Sequence, residues 1–185
     1  MADDILIREG RLDDIPALVD LLGGLFAAET DLEADPARQQ RGLTALMTEA
    51  PAARVWVAEA AGRVVGMCQV QRKISTAEGG RIGEIEDVIV DPAWRGRGVG
   101  RRLLDTLEAW AAAEGLLRLH LLADRHNTGA LGFYERLGWA PADLVCLRKY
   151  RFGPERRSTE KTHPAADARR AARREGAPGR DRRGR

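Results

Sequence analysis

Apolar positions along this chain change their period several times, and each change marks an element. Ile5 to Glu9, ILIRE, alternate as a short strand. RLDDIPALVDLLGGLFAAE then spaces Ile15, Leu18, Leu22, Leu25 and Phe26 at helical intervals, with Asp13 or Asp14 as the cap. A second, shorter helix starts near Pro36 and carries Leu43, Leu46 and Met47. ARVWVAEAAGRVVGMCQVQRKI reads as a hairpin, two strands around an Ala61-Gly62 turn. RIGEIEDVIVDP is another strand, followed by the glycine-rich WRGRGVGRR and a long helix over Arg101–Glu114. LLRLHLLA reads as a buried strand, NTGALGFYERLGW as a short helix closed by Gly138, and DLVCLRKY as a last strand.

The order β-α-α-β-β-β-α-β-α-β predicts one α/β (α+β) domain. Its early strands follow one another through short turns and should be antiparallel. Its later strands alternate with helices, which requires a parallel crossover. The chain has 185 residues, 44% of them hydrophobic and 31% charged, which suits one soluble core. No apolar run approaches the roughly 20 residues of a membrane span, and MADDILIREG lacks the order of a signal peptide. A cytoplasmic protein without membrane contact is expected. Cys68 and Cys146 sit in strand-like runs and read as buried small hydrophobes, and no Cys/His spacing suggests a metal.

The net charge of +2 conceals an asymmetry. Arg151–Arg185 holds 12 basic and 5 acidic residues with almost no large apolar side chain. Residues 153–185 are therefore expected to be a basic, disordered tail behind a domain over 1–152. The tail is a solubilising extension or a weak, non-specific contact for acidic surfaces; nucleic-acid binding is not expected of the domain.

WRGRGVGRR stands where a strand hands over to a helix. The first turn of a helix leaves N–H groups unpartnered and carries a partial positive charge, so it attracts phosphate oxygens. Gly96, Gly98 and Gly100 let an anion approach the backbone, and Arg95, Arg97 and Arg101 add charge at the rim. The spacing is wrong for a Walker loop, which needs Lys-Ser/Thr, and for a Rossmann fingerprint. The remaining alternative is a surface turn rich in arginine and glycine.

R95-G-R-G98-V-G100 and N127-T-G-A130-L-G-F133-Y134-E-R-L-G138-W together resemble the two signature segments of the GNAT superfamily of acyl-CoA-dependent N-acyltransferases. The element order over residues 5–150 resembles it too. The resemblance implies a mixed, centrally splayed sheet flanked by helices, with acetyl-CoA as co-substrate and no metal. The backbone of Val88, Ile89 and Val90 would pair with the pantetheine arm, and the N–H groups from Arg95 through Gly96, Arg97, Gly98, Val99 and Gly100 to Arg101 would hold the pyrophosphate. Asn127 would reach the cofactor, cap its helix, or do both.

The chemistry implied is direct attack of an amine on the thioester, with no enzyme nucleophile. A backbone N–H near Val88 or Ile89 would polarise the carbonyl. Tyr134 would protonate the departing thiolate, since the matching tyrosine lies near the thioester sulfur in many relatives. The base would be Glu86 or Glu84, which share a face of their strand with Val88 and Val90 following and Asp87 opposite. Water alone, or salt bridges of these carboxylates to Arg81 or Arg72, remain the alternatives. GEIEDVIV is similar to the matching strand of the family's eukaryotic glucosamine-6-phosphate N-acetyltransferases. Leu122 stands where the family's ribosomal-protein N-terminal acetyltransferases carry a glutamate, which argues against that mechanism.

The acceptor would be a primary amine of a small molecule. Glu29, Asp31, Glu33 and Asp35 make the loop between the first helices acidic and suit a cationic amine, whereas Arg38, Arg41, Arg72 and Lys73 could serve a phosphorylated one. His120 and His126 read as surface or loop residues. A protein lysine acetyltransferase guided by the tail, and a non-catalytic acyl-CoA sensor, are the competing functions. Homodimerisation is possible on the family's habit.

Overall fold

The computed structural model describes residues 4–28, 35–49 and 52–147. All the regular elements lie in the compact unit Met1–Ala140. They are β1 (Leu6–Glu9), α1 (Ile15–Ala28), α2 (Pro36–Thr48), β2 (Ala53–Ala60), β3 (Arg63–Ser75), β4 (Gly80–Val90), α3 (Val99–Ala113), β5 (Leu119–Leu121) and α4 (Thr128–Arg136). Short 3-10 turns precede α1 and α3. No described helix is long and apolar enough to cross a membrane.

The strands lie in the order β1-β2-β3-β4-β5. The first four pair antiparallel and β5 joins β4 parallel. The β2–β3 turn is the expected one, with Ala61 at φ 48° and Gly62 at φ 71°. Two left-handed residues in succession give a turn whose twist matches the strands it joins. β3 and β4 form a second, longer hairpin through the turn at 76–79, so four strands are laid down before any crossover.

Each face of the sheet has its own apolar cluster. Leu103, Leu104 and Leu107 of α3 are fully buried against Trp56, Ala58, Cys68, Val70 and Ile85. On the other face Leu18 and Leu22 of α1 and Leu43 of α2 pack on Val55, Val57, Met67 and Ile89. Trp110 meets Trp56 edge to face at 5.4 Å and carries the Arg72 guanidinium over its other side at 5.8 Å. At the N-terminal edge Arg8 joins Asp14 at 2.8 Å and Glu59 at 2.7 Å, fastening β1 to the start of α1 and to β2.

Three expectations change here. The strand over LLRLHLLA shrinks to Leu119–Leu121, half-buried, because only three residues of β5 find partners on β4. Residues 143–147 of the expected last strand form no strand, and Leu144, Val145 and Leu147 are exposed; residues 148–150 lie outside the described set. Alternation sustains a strand only where a neighbour supplies the ladder. Cys146 is accordingly exposed, while Cys68 is fully buried as expected. The tail from 153 onward also lies outside the described residues.

Candidate active site

The glycine loop is a bare-backbone cradle at the start of α3. Asp91 closes β4 by accepting the Ala93 N–H at 2.9 Å, which starts the turn Pro92–Trp94. Arg95 reaches back to the Val90 carbonyl at 3.1 Å, and Arg97 lies over the Trp94 ring at 4.8 Å. Gly96 and Gly98 take φ 74° and 80°, left-handed values that residues with a Cβ avoid. Around both glycines the place of a Cβ is open for 4 Å. Gly98 is the N-cap of α3, whose first internal bond is Arg102 N–H to the Gly98 carbonyl at 3.1 Å. The N–H groups of Val99, Gly100 and Arg101 therefore have no acceptor within the helix. Open glycine backbone, unpartnered N–H groups and exposed Arg101 together fit a pyrophosphate. Gly100 serves another purpose: its Cβ would stand 3.2 Å from Phe133 Cζ, so the missing side chain lets α4 close on α3.

Beside this loop the sheet forks. The β4–β5 ladder holds three pairs, Gly83–Leu119, Glu84–His120 and Ile85–Leu121, and then stops. β4 continues to Val90 paired only with β3. Val88, Ile89 and Val90 thus present an edge with no strand partner among the described residues. An amide-bearing chain can add to such an edge as a further strand would.

The fork contains a bulge that alternation alone does not reveal. Pairing runs through Val70–Ile85 and Cys68–Val88, so Gln69 faces both Glu86 and Asp87. Its Nε2 lies 3.4 Å from a carboxylate oxygen of each. Ile85, Val88 and Val90 consequently pack with the α3 cluster, and Ile89 with the α1–α2 cluster. The expectation that Asp87 points away from Glu86 is corrected: one extra residue puts both carboxylates on the α1–α2 side and turns Val88 and Val90 to the other. Gln69 Oε1 is buried with no partner among the described residues.

Glu84 is on the same side and is fully engaged. Lys73 Nζ binds one oxygen at 2.8 Å and His120 Nε2 lies 3.1 Å from the other. Lys73, and then His120, hold its carboxyl below the usual range. The expected partners were Arg81 or Arg72, but Arg72 binds Glu114 and stacks on Trp110. His120 is no loop residue: the parallel ladder sets it opposite Glu84, between Leu119 and Leu121. His126 does lie in an exposed loop. Pattern reading gives Gln69 no role, sets Asp87 on the other face and takes His120 for a surface or loop residue. The only signal for His120 was its place in the middle of the LLRLHLLA run.

Tyr134 is half-buried on the α3 side, between Phe133 at 5.3 Å and Trp139 at 6.1 Å. Burial, with Cys68 adding to it, pushes its phenol up to about 12. Asn127 caps α4, accepting the Ala130 N–H at 3.0 Å. Asp35 caps α2 through the Arg38 N–H, while Glu29, Asp31 and Glu33 lie outside the described residues. Among the described residues no group of His, Cys, Asp and Glu could hold a metal.

Residues 17–139 match the acetyltransferase (GNAT) family. The chain is 30% identical over 139 residues to the glucosamine 6-phosphate N-acetyltransferase of Trypanosoma brucei brucei, covering 74% of this chain and 89% of that protein. A possible acetyltransferase from Clostridium difficile matches with a TM-score of 0.71 at 22% identity, over 80% of this chain and 99% of its own. An aminoglycoside N-acetyltransferase in complex with CoA matches with a TM-score of 0.70 at 16% identity, over 82% and 97%.

Proposed function

Because the chain belongs to the acetyltransferase (GNAT) family and is an acyltransferase that moves an acetyl group to an amine, we propose that it uses acetyl-CoA and acts on a cationic small-molecule amine. The observation that carries the cofactor is the left-handed Gly98 capping α3 beside the unpaired edge of β4. The N–H groups of Gly96 to Arg101 hold the pyrophosphate, while the Arg95 N–H is already given to the Pro92 carbonyl at 3.4 Å, and the edge at Val88, Ile89 and Val90 holds the pantetheine amides. Acetyl-CoA supplies the activated acyl carbon.

An N–H of β4 near Val88 or Ile89 meets the carbonyl oxygen and stabilises the charge that grows on it during attack. Tyr134 keeps its proton throughout the neutral range, because its phenol is raised to about 12, and gives that proton to the leaving sulfur. Asn127 orients α4 from its cap, which keeps Tyr134 in place.

The acceptor class follows from charge on the α1–α2 side of the sheet. Glu86 and Asp87 stand together there through their shared Gln69, and a pair of carboxylates suits an ammonium group. Of Arg38, Arg41, Arg72 and Lys73, the cations that could serve a phosphorylated amino sugar, three are held in ion pairs. Arg72 binds Glu114, Lys73 binds Glu84 and Arg38 binds Asp35. A polyamine or aminoglycoside thus fits better than a sugar phosphate.

The test is titration calorimetry of acetyl-CoA into the full chain, beside Gly98→Asp and Arg101→Glu, with circular dichroism to confirm folding. Micromolar binding that both folded variants lose supports the loop. A panel of polyamines, aminoglycosides and glucosamine 6-phosphate, read by thiol release, then ranks acceptors. Turnover of the sugar phosphate alone would reverse the acceptor assignment.

A further inference from the structure

Sequence suggests Glu84 and Glu86 as the base for the acceptor's ammonium, and the structure brings His120 against the first of them. Glu84 is poorly placed to take a proton itself, since Lys73 and His120 occupy both of its oxygens. Glu86 is exposed and shares its partner Gln69 with Asp87, an arrangement suited to holding a cation.

The geometry around His120 is that of a positioned imidazole. Glu84 and His120 are directly opposite in the parallel ladder, one residue before it ends at Ile85–Leu121. Strand alternation puts both on the α1–α2 side, because their neighbours Ile85, Leu119 and Leu121 all pack with the α3 cluster. A carboxylate only accepts hydrogen bonds, so the 3.1 Å contact requires the proton on Nε2. Nδ1 then carries the lone pair. Lys73 fixes the second oxygen of Glu84 at 2.8 Å and so sets the carboxylate that orients the ring. Further charged groups nearby are Glu86 and Asp87 along β4, and Arg118 immediately before β5, which is paired with Glu78 at 3.0 Å. The ring is partly open to solvent and to a ligand, with 30% of its side chain exposed.

We propose that His120 is the catalytic base and Glu84 its positioning residue, an inference that rests on the acetyl-transfer reading above. His120 Nδ1 takes one proton from the acceptor's ammonium, and Glu84 stabilises the resulting imidazolium. The freed lone pair forms the C–N bond to the acyl carbon as the C–S bond breaks. Tyr134 protonates the departing sulfur and its phenolate takes the second proton of the amine, so the products are the amide and the thiol. The imidazolium returns its proton to water. Glu86 and Asp87 seat the ammonium for this transfer.

The experiment uses the full chain with the best acceptor of the panel, and adds a readout that is independent of turnover. The ring nitrogens of His120 are identified by their absence in His120→Gln and their 15N shifts are read by NMR, in wild type and in Glu84→Gln. Loss of the partner carboxylate should move the ring's proton from Nε2 toward Nδ1. In kinetics His120→Gln should lower kcat about 100-fold or more and remove the acid limb of the kcat/KM profile. Glu84→Gln should keep that limb with a lower kcat, and both variants should bind acetyl-CoA within twofold of wild type. His120→Gln turning over within twofold of wild type, with its acid limb intact, overturns the proposal while leaving acetyl transfer standing. An unchanged Nε2–H tautomer in Glu84→Gln overturns the dyad. Wild-type protein that acetylates no amine of the panel overturns the functional reading and the proposal together.

Discussion

Gln69 lies 3.4 Å from carboxylate oxygens of both Glu86 and Asp87, two consecutive residues that an unbroken strand would point to opposite faces. The bulge between the Cys68–Val88 and Val70–Ile85 pairs makes this possible. It also reverses the facing of everything after it, so that Ile89 joins the α1–α2 cluster and Val88 the other. One inserted residue therefore groups the acidic side chains and aims the β4 edge.

Gln69→Leu tests that grouping. The replacement has similar size and removes a buried oxygen that has no partner, so stability should change by only about 1 kcal/mol. The two carboxylates lose their common donor, and KM for a cationic acceptor should rise several-fold while acetyl-CoA affinity stays constant. Calorimetry and steady-state kinetics on the same preparation separate the two effects.

Tyr134→Phe should bind acetyl-CoA within twofold of wild type and lose about 100-fold in kcat, the usual size of a general-acid contribution. With the phenol raised to about 12, the acid form persists below that pH, so wild-type kcat should show no tyrosine limb up to about pH 11. A wild-type chain that binds acetyl-CoA without turning over any amine would instead identify a sensor.

Asp14 should set part of the acid stability. Its carboxylate receives Arg8 at 2.8 Å and the Arg11 N–H at 2.7 Å, and Arg8 holds its pKa below the ordinary value. A depressed folded pKa contributes stability above the unfolded value of about 3.9, and that contribution is lost as pH falls through the folded one. Asp14→Asn should cost about 1–3 kcal/mol at pH 7 and flatten the fall of Tm below pH 4. Thermal melts from pH 7 to pH 3 give both numbers.

Deleting residues 153–185 addresses the basic tail. Small-amine kcat/KM should stay within twofold, since the fork, the loop and the dyad all lie before Ala140. A large loss confined to protein substrates would favour the lysine acetyltransferase reading.

The sequence by itself determined the kinds of element and their order, from Leu6 to Arg136, because periodicity and turn residues are local properties. It determined the glycine loop as well: glycine takes the left-handed φ of 74° and 80° at Gly96 and Gly98 without a Cβ to strain it, so the backbone requirement is written in residue type. Tertiary structure decided the rest of the site. Which face Asp87 takes depends on a bulge that pairing with β3 creates, and no local pattern encodes a count of residues on a partner strand. The pairing of His120 with Glu84 spans 36 residues and exists only because three residues of β5 dock in parallel register on β4. The strand expected at DLVCLRKY shows the same limit from the other side. Its residues 143–147 have the alternation but no ladder, and without a neighbour alternation does not make a strand.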